Sequence, residues 1–155
     1  MPSPALIEKV LKENTLYNDN EVIIVPHVFV FATNDAGIAG TDSGIIAKRH
    51  YKRPASPFTG MHENHMGATY GISLKKSNMV TSRPFAEVSH DMMVMYYLAE
   101  AEKGERKWVL PNFARNVDRD NSEKIIRLIK GMFINKKDLF IVPSAWLHSV
   151  NPYFS

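Results

Sequence analysis

Val28-Phe29-Val30-Phe31-Ala32-Thr33-Asn34-Asp35-Ala36-Gly37-Ile38-Ala39-Gly40-Thr41-Asp42-Ser43-Gly44 decides the fold of this chain. Its first five residues are apolar, and four of them are β-branched or aromatic, so Val28–Ala32 reads as a buried strand. Glycines and polar residues then stop the strand. Ile45 to Tyr51 reads as a helix capped by Asp42 or Ser43. The order is strand, glycine-rich loop, helix. Gly37, Gly40 and Gly44 let backbone N–H groups approach a ligand, and the helix start adds its positive dipole end, which together suit an anion. The same glycines also fit a tight strand-to-helix turn that needs them only for positive φ. The spacing is neither the dinucleotide fingerprint nor a P-loop, which places Lys and Ser/Thr after its last glycine.

Outward from this stretch the pattern repeats. Upstream, Ser3 and Pro4 open a short amphipathic helix over 4–13 with Ala5, Leu6, Val10 and Leu11 on one face. Residues 14–20 are a turn, and Val22–Val25 is an edge strand set apart by Pro26. Downstream, Lys52 to Gly67 reads as a long loop and Ala68–Leu74 as a second strand. Pro84 opens a long helix with Phe85, Val88, Met92, Met95, Tyr96 and Ala99 on one face, and Gly104 closes it. Trp108–Pro111 is a third strand, and Asn112 to Asn121 a loop. Asp120 or Ser122 caps a helix carrying Ile125, Ile126, Ile129 and Phe133. Leu139–Val142 is the last strand.

Strands alternating with helices predict a single α/β domain over residues 1–155 with a largely parallel sheet. Ligands of such sheets sit beyond the carboxyl ends of the strands, where loops 33–44, 52–67 and 112–121 are expected. The 155 residues include no cysteine, which excludes a disulfide scaffold and a thiolate zinc site. The net charge is +3, and its only dense group is Lys48, Arg49, Lys52 and Arg53. That group reads as a solvated helix end, and nucleic acid is not an expected partner. The first residues lack the basic and apolar regions of a signal peptide, and no apolar run is long enough to span a bilayer. A cytoplasmic protein with no membrane partner is the expectation.

Two further groups carry possible chemistry. His62, Glu63 and His65 hint at a metal, but the histidines lie three apart in a loop, and zincin ligands lie four apart on a helix. Exposed loop histidines fit better, and no metal is expected. In Pro111-Asn112-Phe113-Ala114-Arg115-Asn116, Phe113 suits stacking on a base and Arg115 a phosphate. Phe113 equally fits a core plug and Arg115 a solvent position. Ser43, His50 and Asp91 supply triad residue types without a nucleophile-elbow sequence.

The run Val28–Gly40, followed by a helix ending in His50-Tyr51, resembles the small phage and bacterial branch of macrodomain-like proteins. That branch has an apolar strand, then Gly/Ser-Asn-x-Ala-Gly-x-x-Gly, then a helix. Gly60, Glu63 and Gly67 match its second Gly- and Glu-containing segment, and Tyr70-Gly71-Ile72 its following strand. The likeness covers about residues 22–142. It implies a three-layer α/β/α sandwich with a mixed, largely parallel sheet, and an ADP-ribose-type ligand without a cofactor. It implies either dephosphorylation of ADP-ribose 1″-phosphate or removal of ADP-ribose from a macromolecule. Asn34 would orient the distal ribose, and Gly37, Gly40 and their neighbours Thr33, Ala36, Ile38, Ser43 and Gly44 would hold the diphosphate. Glu63 would lie near the pocket rim. A base for water would come from Asp35, His62 or His65. The family's second phosphate loop carries glycines, whereas here Asn112, Phe113 and Arg115 occupy it. The alternative implied is a non-catalytic reader of ADP-ribose or a counter-defence interaction protein, in the host cytoplasm if phage-encoded.

Overall fold

Strand β1 (His27–Asn34) lies at the centre of the sheet in the computed structural model, which describes residues 26–34, 42–54, 59–75, 83–111 and 119–142. Its neighbours are β2 (Gly60–Asn64), β3 (Gly67–Lys75), β4 (Lys107–Val109) and β5 (Phe140–Ile141), in the order β2-β3-β1-β4-β5. β1 pairs in parallel with β3 and β4, and β4 with β5. Only β2 runs antiparallel, against β3. Parallel neighbours need long crossovers. Helices α1 (Asp42–His50), α2 (Phe85–Ala101) and α3 (Arg119–Met132) lie in those connections. The chain is therefore mixed α/β with a largely parallel five-stranded sheet.

A central parallel strand is buried on both faces, which is why β1 is a continuous apolar run. Val28, Phe29, Val30, Phe31 and Ala32 are all buried. Alternate side chains serve different neighbours. Val28, Val30 and Ala32 join Ala68, Tyr70, Ile72 and Leu74 of β3 in one core with Val88, Met92, Met95 and Ala99 of α2. Ile125 of α3, with Trp108, Phe133 and Phe140, completes it. Phe29 stacks on Tyr51, 5.0 Å between ring centroids, and α1 packs against β1. Burying each such phenyl group contributes about 1.5–3 kcal/mol.

Several boundaries differ from the sequence expectation. The first strand is longer, because His27 and Thr33 are buried too. His27 Nε2 meets the Tyr51 hydroxyl at 2.8 Å, which satisfies both polar tips inside the fold. Helix α1 starts at Asp42, so Asp42 and Ser43 lie in its first turn. α3 likewise starts at Arg119, before Asp120 and Ser122. The largest correction concerns 52–67. This stretch contains β2, joined to β3 by a tight turn at His65 and Met66. Asn64 sets that turn: its Oδ1 accepts the Met66 N–H at 2.7 Å, and its Nδ2 donates to Tyr51 O at 3.0 Å. β2 was illegible because Gly-Met-His-Glu-Asn holds no β-branched residue and sits at a sheet edge, where polar side chains are tolerated. The stretch also does not leave the carboxyl end of a strand. It leaves α1, and residues 76–82 follow β3 instead.

The long helix behaves as read. Pro84 stands at its cap position, Val88, Met92, Met95 and Ala99 are buried, and the Glu102 N–H closes on Ala99 O while the Lys103 N–H closes on Glu100 O. Phe85 and Tyr96 pack at the margin of the core. Among the described residues, no helix is long and apolar enough to cross a membrane. The readings of a helix at 4–13, a turn at 14–20 and a strand at 22–25 lie outside the described residues, as does the loop at 112–121 up to residue 118, whereas Arg119, Asp120 and Asn121 belong to α3.

Candidate functional site at the carboxyl end of the central strand

Thr33 and Asn34 end β1, and the β1–β3 register slips between them, from Thr33↔Ser73 to Asn34↔Lys75. Such an irregularity bends a strand where the chain leaves the sheet. Asp35, Ala36, Gly37, Ile38 and Gly40 follow, outside the described residues, and α1 then begins. The junction is held by one side chain. The Ala32 N–H donates to Ser43 Oγ at 3.0 Å, tying the first turn of α1 to the end of β1. The β1–β4 pairing extends only to Phe29↔Val109, so Ala32 lies past the last pair on that side.

Ser43, expected among the ligand contacts, is buried and gives its oxygen to the fold. Gly44 is buried beside it in the first turn of α1. Thr33 is buried, and its Oγ1 has no hydrogen-bond partner among the described residues. A buried hydroxyl left without a partner costs about 1–3 kcal/mol, so this one marks a place where a further polar group belongs. Thr33, Asn34, Ser43 and Gly44 thus converge on one junction. Asn112, Phe113 and Arg115 lie outside the described residues, after β4.

Glu63 does not join them. It pairs in register with Ala68, which faces Val28, whereas Thr33 faces Ser73. At about 3.3 Å per residue, Glu63 stands ~16 Å down the sheet from Thr33. There it is ion-paired with Arg106, which also meets Glu102 at 2.6 Å. Glu102 Oε1 accepts the Trp108 indole N–H at 3.0 Å. Burial raises the Glu102 carboxyl, but hydrogen bonds from Arg106 and Trp108 outweigh it and leave the group below its usual value. Glu102 and Glu63 together hold the Arg106 guanidinium above its usual value against its own burial. A cleft of about 260 Å³ opens between this pair, Pro26, His27, Asn64, Gly67 and Ala68, at the amino ends of the parallel strands.

The histidine group also separates. His62 and Glu63 are consecutive on β2 and so face opposite sides of the sheet. His65 sits in the turn. No three His, Asp or Glu side chains gather as a metal site among the described residues.

Two arginines matter that the sequence did not single out. Arg53, expected in solvent, is buried. Its guanidinium donates to Thr59 O and Gly60 O at 2.8 Å each and to Thr69 at 3.3 Å, and it lies 5.4 Å from the Phe31 ring centroid. Burial lowers its pKa. Nothing in Lys-Arg-His-Tyr-Lys-Arg distinguishes it from its exposed neighbours Lys48, Arg49 and Lys52. Arg83 donates to Ser73 O at 2.9 Å and to Asp91 at 2.6 Å, with Glu87 at 3.4 Å. Its spacing to Glu87 and Asp91, four and eight residues, is a helical-face pattern that was legible. Arg83 and Asp91 line a cleft of about 320 Å³ with Tyr70, Gly60 and Val94, beside the carboxyl half of β3. Burial, then the Asp91 charge, raises the Tyr70 hydroxyl above its usual value.

The chain matches no protein-family model, no curated protein and no solved structure.

Proposed function

We propose that this chain is a macrodomain-like protein of three-layer α/β/α build that binds ADP-ribose or a related nucleotide at the carboxyl end of β1. We infer that it acts there as an ADP-ribose 1″-phosphate phosphatase or ADP-ribosyl hydrolase. One observation carries the reading: the central parallel strand passes, through the Gly37–Gly40 segment, into a helix whose first turn Ser43 ties to Ala32. That junction aims a helix N-terminus along the edge where parallel sheets take ligands. The Thr33 hydroxyl beside it, without a partner among the described residues, supports the same reading. Asn34 would hold the distal ribose and the Gly37 and Gly40 N–H groups the diphosphate. Asp35 would orient a water and take its proton. The water oxygen bonds to phosphorus, the bond from phosphorus to the ribose oxygen breaks, and that oxygen leaves with the proton that Asp35 took from the water.

A second reading, a non-catalytic nucleotide reader, is favoured by where the other candidate bases stand. His62 pairs with Thr69 and His65 lies in the next turn, both toward the amino end of β3, so Asp35 alone of the three remains.

Titration with ADP-ribose, read by calorimetry and thermal shift, tests binding. The wild type is expected to be stabilised by about 2.7 kcal/mol at a hundred times Kd. Asn34→Ala is expected to weaken binding tenfold or more. No shift at millimolar ligand overturns the proposal. Phosphate release from the 1″-phosphate separates enzyme from reader.

A further inference from the structure

The 320 Å³ cleft beside the carboxyl half of β3 has a chemistry of its own. It opens where β2 stops. The β2–β3 pairing ends at Gly60↔Gly71, so from Ile72 onward no strand lies along that edge of β3 among the described residues. Arg83 closes the far end: its N–H donates to Leu74 O and its guanidinium to Ser73 O, each at 2.9 Å. Tyr70 and Ile72 belong to the β3 face that packs toward α2, and Asp91 and Val94 of α2 form the facing wall. Sites for small molecules have volumes of roughly 300–1,000 Å³, and this cleft falls at the lower end.

One polar group in it is left over. Tyr70 is 8% exposed, yet its hydroxyl makes no hydrogen bond among the described residues. Nor is that hydroxyl sealed from solvent as Thr33 Oγ1 is. The Tyr70 ring is held by Trp108, with 5.3 Å between ring centroids. Burial, and then the Asp91 charge, keep the proton on the hydroxyl, so it stays a donor across the physiological range. A tyrosine this buried normally finds a partner for its O–H.

The charges around it are already matched. Arg83 meets Asp91 at 2.6 Å and Glu87 at 3.4 Å. An ionic ligand would have to break that pairing, whereas a neutral one adds to it. A carboxylate has about four acceptor sites on its two oxygens, so Asp91 can accept more than its bond from Arg83. Two adjacent hydroxyls suit such a carboxylate, as ribose hydroxyls do in dinucleotide sites. Ile72 and Val94 add apolar surface for the C–H face of a ring.

We infer that this cleft binds a neutral ligand with adjacent hydroxyl groups, a monosaccharide, with Tyr70 donating to one of its oxygens and Asp91 accepting from two of its hydroxyls. The site goes beyond the nucleotide reading and does not rest on it.

Methyl-resolved NMR titration of the full chain with D-ribose, and separately with D-glucose, tests this. The Ile72 and Val94 signals are expected to move with at least one of the two sugars, while the buried Ile125 signal stays. 2-Deoxy-D-ribose, which lacks one of the adjacent hydroxyls, is expected to bind about tenfold more weakly than D-ribose, the loss of one hydrogen bond. Tyr70→Phe keeps the ring against Trp108 and removes the hydroxyl alone. It is expected to weaken sugar binding about tenfold as well. Its melting temperature is expected to equal or exceed that of the wild type, because no bond within the protein is lost. Asn34→Ala is expected to leave sugar binding unchanged. Still signals at the highest soluble concentration of both sugars overturn the inference. So does a Tyr70→Phe chain that binds as the wild type does, or one that melts lower, which would give the hydroxyl a structural role. Tighter binding of glycine or inorganic phosphate in the same cleft overturns the choice of a neutral ligand. Loss of sugar binding in Asn34→Ala would merge the cleft with the nucleotide site and overturn its independence. ADP-ribose enters none of these measurements, so failure here is distinct from failure of the proposed function.

Discussion

Arg53 shows how much a single side chain holds in this molecule. Its guanidinium satisfies the carbonyls of Thr59 and Gly60 at the start of β2 and reaches Thr69 on β3, under the ring of Phe31. Hydrogen bonds from a charged donor contribute about 1.5–3 kcal/mol each, and acceptors stranded by its loss carry a desolvation cost. Arg53→Met is expected to lower stability by about 3 kcal/mol in urea unfolding, with the largest loss of amide protection at Gly60 and Met61. An effect below ~0.5 kcal/mol would place the guanidinium in solvent. Sequence gave no warning of this residue. It belongs to a basic run, and only the arrival of β2 and β3 from elsewhere in the chain encloses it.

At the scale of elements, the junction of β1 and α1 is the part on which the proposed function rests. The strand was legible because a doubly buried strand must be apolar throughout. The helix was legible because its start is marked by Asp42 and Ser43. Their roles were not. Ser43 accepts the Ala32 N–H and so ties the helix start to β1. Ser43→Ala leaves a strand N–H without that acceptor, at a cost of about 1–3 kcal/mol. Denaturation is expected to show that loss, and ADP-ribose affinity is expected to fall with it because the helix start is no longer held. Lost stability with unchanged affinity would separate the tie from the pocket. β2 escaped sequence reading for the opposite reason to β1. It sits at an edge, its side chains are half-buried or exposed, and its pairing partner alone makes it a strand.

For the whole molecule, pH acts through the Glu63–Arg106–Glu102–Trp108 group at the amino ends of the strands. The folded Glu102 carboxyl lies below its usual value. A depressed carboxyl contributes stability above its unfolded value and loses it as pH falls through the folded one. Stability is therefore expected to decline below about pH 4.5, and the decline is expected to be shallower in Glu102→Gln. Identical acid profiles for the two chains would remove Glu102 from the account. The two tyrosines act at the other extreme. Burial raises Tyr51 and Tyr70, so their contribution is complete below pH 10 and is lost as pH rises beyond it.

The sequence by itself determined the alternation of strands and helices, the buried central strand and the core face of α2, because hydrophobic period and turn chemistry are local properties of the chain. It also offered Gly37, Gly40 and Gly44 either as a tight turn or as a place that suits an anion, which the proposed function takes up. Tertiary structure alone decided the antiparallel β2, the burial of Arg53 and the distance of Glu63 from Thr33. Each of these depends on strand order and register, which bring together residues far apart in the chain, and no local pattern encodes which strand lies beside which.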